Sequence, residues 1–212
     1  MKTIILNGSP RRNGNTAQLL RAAQKGAESA GSETEYIDLY GLDFTGCRSC
    51  MVCKKKGSEH CRCFRKDDLS PILDRIFEAD ALIIGSPVYF GDTTSQFHAL
   101  AERLGFVLLS YDDYRSLFEG RVNVGIILTM NAPVDIYHQY YEAKFDDQFR
   151  LFGFLNGKTE VLPSCDTLQV NDYSKYDMAG FNEEHKKAHH EQQFPIDLEE
   201  AFRLGERLIR EK

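Results

Sequence analysis

One repeated unit narrows the fold more than any other feature of this chain. A short, unbroken aliphatic run is followed by turn residues and then by apolar residues at helical spacing. Lys2–Asn7, with Ile4, Ile5 and Leu6 in succession, opens the first unit. Gly8–Asn13 is turn chemistry, and Thr16, Leu19, Leu20, Ala23, Ala27 and Ala30 mark a helix that Gly31 closes. Further strands are expected at Glu35–Leu39, Ala81–Gly85, Val122–Leu128 and Glu160–Leu162, the last with a continuation toward Val170. Helices are expected behind Asp67-Asp68, over Phe97–Leu104, over Asp135–Phe152 and around Leu198–Ile209. Aliphatic runs without alternation are buried on both faces, the mark of a parallel sheet covered by helices on both sides. The chain therefore reads as one α/β domain over 1–212 with a five-stranded parallel sheet. Ligands of such sheets bind beyond the carboxyl ends of the strands. The loops 8–16 and 86–91 both leave strands at that end.

Two segments stand outside the pattern. Residues 41–66 have no period and carry five of the six cysteines. Residues 166–193 are polar and read as an irregular surface excursion, suited to a subunit contact, a lid or a plain crossing. Within them His185, His189 and His190 lie among Glu and Lys and read as a solvated face rather than a metal site. A net charge of −6 argues against nucleic acid as a partner, because phosphate backbones call for clustered Lys and Arg. No apolar run approaches the roughly 20 residues of a membrane helix, and the amino terminus does not read as a signal peptide. With thiols crowded in one segment, a reducing cytoplasmic setting is expected.

The first loop suits a phosphate ester. Helix amino termini present unpartnered N–H groups with partial positive charge. Ser9, Asn13, Asn15 and Thr16 add polar groups, Arg11 or Arg12 adds a guanidinium, and Gly8 and Gly14 allow close approach. The loop matches neither the P-loop nor the dinucleotide pattern. Gly8-Ser9-Pro10-Arg11 with Gly14-Asn15-Thr16 resembles the phosphate loop of the NADPH-dependent FMN reductases, a flavodoxin-like family. Ser86-Pro87-Val88-Tyr89-Phe90-Gly91, with Gln96 and Arg103 beyond, resembles that family's second FMN loop. The resemblance implies a three-layer sandwich with strand order 2-1-3-4-5. It implies that Ser9, Arg11, Asn15 and Thr16 hold the FMN phosphate, that Pro87, Val88, Tyr89, Phe90 and Gly91 line the ring and ribityl chain, and that Thr129, Met130 and Asn131 form a third contact loop. His98 and Glu102 depart from the family pattern, where Lys and Asp are frequent. Chemistry points the same way for the second loop, since Tyr89 and Phe90 offer ring contacts and N–H groups near Gly91 suit a flavin's polar edge.

Cys47-x2-Cys50-x2-Cys53-x7-Cys61, with Cys63 two residues on, can converge on one centre. The tight triplet with a fourth thiolate from Cys61 or Cys63 suits a [4Fe–4S] cluster. Zinc, or free redox-active thiols, remain open on the residues alone. Cys47, Cys50, Cys53 and Cys61 are the preferred ligand set, and the segment resembles the cluster motif of iron-sulfur flavoproteins. Cys165 reads as a small core residue.

The expectation is therefore an FMN-dependent oxidoreductase with NAD(P)H as co-substrate, or an iron-sulfur flavoprotein relaying electrons between a cluster and FMN. No catalytic side chain is nominated. Expected partners are a small-molecule electron acceptor or a redox protein such as ferredoxin, and a homodimer or homotetramer is implied by family resemblance.

Overall fold

The computed structural model describes residues 1–211. Its centre is a five-stranded parallel sheet of order β2-β1-β3-β4-β5. The strands are β1 (Lys2–Asn7), β2 (Glu33–Asp38), β3 (Ala81–Pro87), β4 (Val122–Thr129) and β5 (Asn156–Ser164). Helices α1 (Asn15–Ser29), α2 (Ser70–Phe77) and α3 (Ser95–Leu108) follow β1, β2 and β3. After β4 comes a helical run made of α4 (Val134–Ile136), a π-helical segment (Tyr137–Tyr141), α5 (Glu142–Phe149) and a 3-10 stretch (Arg150–Leu155). The last helix is α6 (Glu183–Arg210).

The aliphatic runs divide between the two faces because successive strand side chains point oppositely. Ile4, Leu6, Leu82, Ile84, Ile126 and Leu128 face a core completed by α2, α3 and α5. Ile5, Ile83 and Ile127 face Leu19, Leu20, Leu204 and Leu208 of α1 and α6. Phe97 of α3 packs on Phe149 and Phe152, with ring centroids 5.7 and 6.1 Å apart. The central strands β1, β3 and β4 are buried almost throughout, and the edge strands β2 and β5 only partly.

Two expectations need correction. The irregular excursion ends at Phe181, not Gln193, because α6 starts at Glu183 and runs 28 residues through Pro195. Asn182 caps it, its side chain accepting the His185 N–H at 3.0 Å. The two acids behind that cap suit the positive end of the helix dipole. The stretch looks like loop in the sequence because only Lys186 is buried in the first two turns. Strand β5 ends at Ser164 and does not continue toward Val170. Past a 3-10 turn at Leu39–Gly41, residues 42–66 hold one more, Val52–Lys54, and are otherwise irregular, as expected. Gly31 ends α1 with φ +87°, the left-handed conformation that glycine adopts without cost. Among the described residues no helix is long and apolar enough to cross a membrane.

Candidate functional site

Three loops meet beyond the carboxyl ends of β1, β3 and β4, and buried hydrogen bonds stitch them together. The Asn7 side chain accepts the Ser9 N–H at 3.0 Å and donates to Asp38 at 2.8 Å, so the first loop leaves its strand at a set angle. Ser9 Oγ then accepts the Arg11 N–H at 3.1 Å. Thr94 donates its hydroxyl to the Gly8 carbonyl at 2.7 Å and accepts the Phe97 N–H, so one side chain caps α3 and anchors the first loop. Thr16 and Thr129 share a hydroxyl hydrogen bond of 2.7 Å, tying the first loop to the third. The Val88 N–H reaches the Thr129 carbonyl at 2.8 Å, tying the second to the third.

Every residue expected at the flavin thus lies on these loops, but their exposures differ. Ser9, Thr16, Thr129 and Met130 are buried, whereas Arg11, Asn13, Tyr89 and Phe90 face solvent. Gly14 at the N-cap of α1 brings no side-chain cap, and the first turn has no acid. The N–H groups there are left for a ligand, which suits an anion. Two further polar atoms, Asn131 Oδ1 and Gln169 Oε1, are buried without a partner. A buried acceptor without a donor costs free energy. FMN, a phosphate ester with ribityl hydroxyls and a ring N–H, offers donors of the kind these acceptors lack. The donor set therefore fits that cofactor.

Tyr89-Phe90-Gly91-Asp92 is a tight turn closed by N–H···O bonds of 2.7 and 3.0 Å between Tyr89 and Asp92. Phe90 and Gly91 both have positive φ, +53° and +75°, the primed turn geometry. A phenylalanine in that conformation is strained, and its ring is fully exposed at the tip. Lys144 fastens the turn by donating to the Gly91 carbonyl at 2.7 Å and to Asp92 at 2.9 Å. Partial burial alone would raise the Asp92 pKa, but Lys144 and His98 outweigh it and hold the carboxyl down at about 2. His98 belongs to this latch, 2.8 Å from Asp92, as a surface packing residue.

The segment 165–170 forms a fourth wall that sequence reasoning left open. Its Gln169 carbonyl accepts from Arg11 at 2.5 Å and its Leu168 carbonyl from Asn15 at 2.9 Å. Behind it sits an ion pair missed in the sequence. Lys186 is 4% exposed and donates to the Asn131 carbonyl at 2.8 Å and to Asp166. Asp166 has φ +52°, and its second oxygen meets His185 at 2.8 Å. The readable signal was Asn182-Glu183-Glu184, a helix start that places Lys186 one turn in. Burial pushes the Asp166 carboxyl up, while Lys186 and His185 outweigh it and leave its pKa lowered. The pair's stability is therefore present above the ordinary carboxylate range and is lost as pH falls through the lowered value. Lys186→Met is expected to cost roughly 2 kcal/mol in urea denaturation at pH 7, less than the full cost of orphaning a buried charge because His185 stays on Asp166. The variant's midpoint should converge on wild type as the pH is lowered below 4. An unchanged midpoint at pH 7 would contradict the assignment.

Cys47, Cys50, Cys53 and Cys63 line one cavity of about 390 Å³ with Phe64, Arg103, Phe106 and Val107. Cys61 is not among the lining residues. Burial raises the Cys53 pKa, opposed by Lys54 and supported by the charges of Cys63, Cys50 and Cys47. Cys61 is raised by burial as well, but the charges that reach it are those of Lys54 and Glu119. Among the described residues no three His, Cys, Asp or Glu side chains are gathered closely enough to hold a metal ion. Four thiols around an apolar cavity nevertheless match the donor chemistry of a thiophilic centre.

Arg103, which follows the second flavin loop in the resemblance, sits at the cysteine segment. Its guanidinium is buried against the cysteine segment, on Asp67 at 2.7 and 3.1 Å and on Cys63 Sγ at 3.2 Å. Asp67 also accepts the Ser70 N–H at 3.2 Å, so it does serve the start of α2.

Cys165 is half-buried just past β5. Burial first, and then Asp197 and Asp166, push its thiol up to about 12. At pH 8 only roughly one molecule in ten thousand carries the thiolate, the reactive form. Cys165 is expected to remain unalkylated by iodoacetamide after the exposed Cys50 has reacted fully, as read by peptide mass spectrometry. Equal rates would contradict this.

The strand order and the site at the carboxyl ends define a flavodoxin-like protein. The model of the NADPH-dependent FMN reductase family matches residues 1–131, and the chain belongs to that family. An iron-sulfur flavoprotein of Methanocaldococcus jannaschii is 39% identical over 130 residues, 59% of this chain and 62% of that protein. One from Archaeoglobus fulgidus is 34% identical over 49% of this chain and 46% of its own length. The chain thus spans about half to three fifths of the curated relatives it matches. Among solved structures, an NAD(P)H:quinone oxidoreductase from Methanothermobacter marburgensis superposes with TM-score 0.70 at 20% identity, covering 98% of this chain and 96% of that one. An azoreductase from Bacillus anthracis gives 0.66 at 14% identity, covering 98% and 99%.

Proposed function

We propose that this chain is an FMN-dependent oxidoreductase that takes electrons from NAD(P)H and passes them to an acceptor. The observation that carries the reading is the uncapped amino terminus of α1, with buried, partnerless acceptors on Asn131 and Gln169 in the loops beside it. The first-turn N–H groups, Ser9, Arg11 and Asn15 would hold the phosphate. Pro87–Gly91 and Thr129–Asn131 would hold the ring and the ribityl chain. Bound there, FMN supplies hydride acceptance and one- or two-electron delivery. The chain's own part is to orient the cofactor, to bring backbone N–H groups to the ring's polar edge, and to offer Tyr89 and Phe90 as aromatic contacts for the ring. Such donors favour the reduced anionic form and so raise the potential.

A second reading is favoured by the cysteine cavity, namely that a [4Fe–4S] cluster relays electrons to FMN. Cys47, Cys50 and Cys53 with a fourth thiolate would hold the cluster. Residues 41–66 carry seven Lys or Arg against two acids in a chain of net charge −6. That field suits an acidic redox protein such as ferredoxin as the partner, where the first reading needs only a small-molecule acceptor. The exposed Phe90 turn supports a homodimer or homotetramer in which another copy covers it.

Anaerobic purification followed by a visible spectrum and by iron and sulfide assays separates the readings. Flavin bleached by NADPH in iron-free protein supports the reductase. About four irons per chain, with flavin reduced only through an added redox protein, supports the relay. Protein that holds no flavin under these conditions overturns both.

A further inference from the structure

We propose that Lys186, paired with Asp166, is the positioning residue of the flavin site: it turns the third loop so that the N–H groups of Asn131 and Ala132 meet the ring, and so sets how strongly the site prefers reduced flavin. The proposal rests on the flavin reading given above and names the residues that act behind that loop. Both lie beyond residue 131, where the family match ends.

Every carbonyl of the third loop from Thr129 to Ala132 is engaged. The Thr129 carbonyl accepts the Val88 N–H at 2.8 Å. The Met130 carbonyl accepts the Thr167 N–H at 2.9 Å and the Thr167 hydroxyl at 3.1 Å. The Asn131 carbonyl accepts from Lys186 Nζ, and the Ala132 carbonyl from the Asp166 N–H, both at 2.8 Å. The Met130 N–H goes to the Ser164 carbonyl at 2.9 Å, and Pro133 has no N–H to give. In a trans peptide the N–H points opposite to the C=O. The Asn131 N–H therefore turns away from Thr167, and the Ala132 N–H turns away from Lys186. Neither makes a hydrogen bond among the described residues. Because β4 lies between β3 and β5, turning from the segment behind β5 is turning toward the second loop.

Lys186 can hold this arrangement because it is itself held. It is 4% exposed, and Asp166 matches its charge. Asp166 grips the loop through its N–H and the lysine through its carboxylate, so the two are locked together. Its φ of +52° costs free energy in a residue other than glycine, and surrounding contacts must over-determine such a conformation for it to persist. An ammonium on the Asn131 carbonyl also polarises that peptide and strengthens the N–H on its far side. Fixed donors of this kind favour the form of a ligand that carries more negative charge, here the reduced ring. Asn131 Oδ1, buried without a partner, would accept the ring N–H that both oxidation states keep, and so adds affinity without preference.

The test titrates the full flavin-free chain anaerobically with oxidised FMN and with dithionite-reduced FMN, and reads the ratio of the two Kd values. The deciding variant is Lys186→Met with Asp166→Asn, which removes both buried charges, orphans neither and leaves the net charge of the pair at zero. It should weaken reduced FMN about tenfold more than oxidised FMN, the size of one hydrogen bond lost or misaligned. That corresponds to a fall of about 30 mV in the two-electron potential of the bound flavin. His185→Gln, which touches Asp166 from an exposed position but not the loop, should keep the ratio within about twofold of wild type. If the double variant fails to fold, Asp166→Asn alone decides. Asparagine tolerates the positive φ, and Lys186 then stands uncompensated on the Asn131 carbonyl, so reduced FMN should gain about tenfold over oxidised. A wild-type ratio in the double variant, or equal weakening of both forms, overturns the proposal, as does an unchanged or reversed ratio in Asp166→Asn. Wild type that binds neither form sinks the flavin reading with it, whereas wild type that binds both beside an unresponsive variant sinks this proposal alone.

Discussion

Asn15→Asp is expected to weaken FMN binding by roughly a thousandfold while leaving the fold intact. Asn15 stands in the first turn of α1, and its side-chain amide donates to the Leu168 carbonyl at 2.9 Å. The substitution changes no volume. It replaces a donor with a carboxylate beside the place where the cofactor's phosphate docks. A lost hydrogen bond to a charged group costs about 1.5–3 kcal/mol, and repulsion between charges a few ångströms apart adds a similar amount at a partly wet site. The sum is about 4 kcal/mol, or three decades in Kd. The helix gains about 0.3–1 kcal/mol from an acid in its first turn, which offsets part of the lost bond to the Leu168 carbonyl, so stability should change by far less than binding. Gln18→Glu, one turn further along on the exposed side of the same helix, should change affinity far less. Equal losses in the two variants, read by fluorescence quenching of added FMN, would contradict a phosphate at this loop.

Gly26→Ala is expected to be the most damaging conservative change to the fold. A Cβ at Gly26 of α1 would lie 1.8 Å from the Phe202 carbonyl oxygen of α6. Gly205 of α6 faces back the same way, where a Cβ would lie 1.9 Å from the Ala23 carbonyl oxygen. The two helices touch backbone to backbone at this crossing, and backbone cannot yield as the end of a side chain does. One methyl must push the helices apart and open the core at Leu19, Leu20, Leu204 and Leu208. The expected loss is about 3–4 kcal/mol, at the upper end of overpacking. That corresponds to a fall of roughly 10 °C in Tm for a domain of this size. FMN affinity should fall too, because the far end of α1 carries the phosphate loop. Gly180→Ala, with nothing within 4 Å of the added methyl, should stay within about 0.5 kcal/mol of wild type.

The sheet was legible because burial on both faces leaves a coarse signature. Ile4-Ile5-Leu6 and Ala81–Ile84 can satisfy two helical layers only from the middle of a parallel sheet. The three loops were legible for a related reason, since turn residues directly after buried strands fall at one end of such a sheet. What stayed hidden depends on contacts between distant positions. Lys186 looked like one more lysine on a polar stretch, and only the packing of α6 buries it against Asp166 and Asn131. Thr94 caps α3, and its second bond, to the Gly8 carbonyl 86 positions away, leaves no local signal in the sequence. Spacing left Cys61 and Cys63 both open as the fourth thiol, and only the packing of the segment against α3 places Cys63 in the cavity lining. The start of α6 was readable from Asn182-Glu183-Glu184 and was masked by the polarity of the residues behind it.

The central claim is that the amino terminus of α1 grips a phosphate ester while the loops at 86–91 and 129–131 take the ring. Comparing FMN with riboflavin tests it most directly, because the two differ only in the phosphate. Titrated into the same flavin-free protein by isothermal calorimetry, FMN is expected to bind at least about a hundredfold more tightly, with the gap narrowing as salt is raised. Equal affinities for FMN and riboflavin, or no binding of FMN at micromolar concentration, would contradict it.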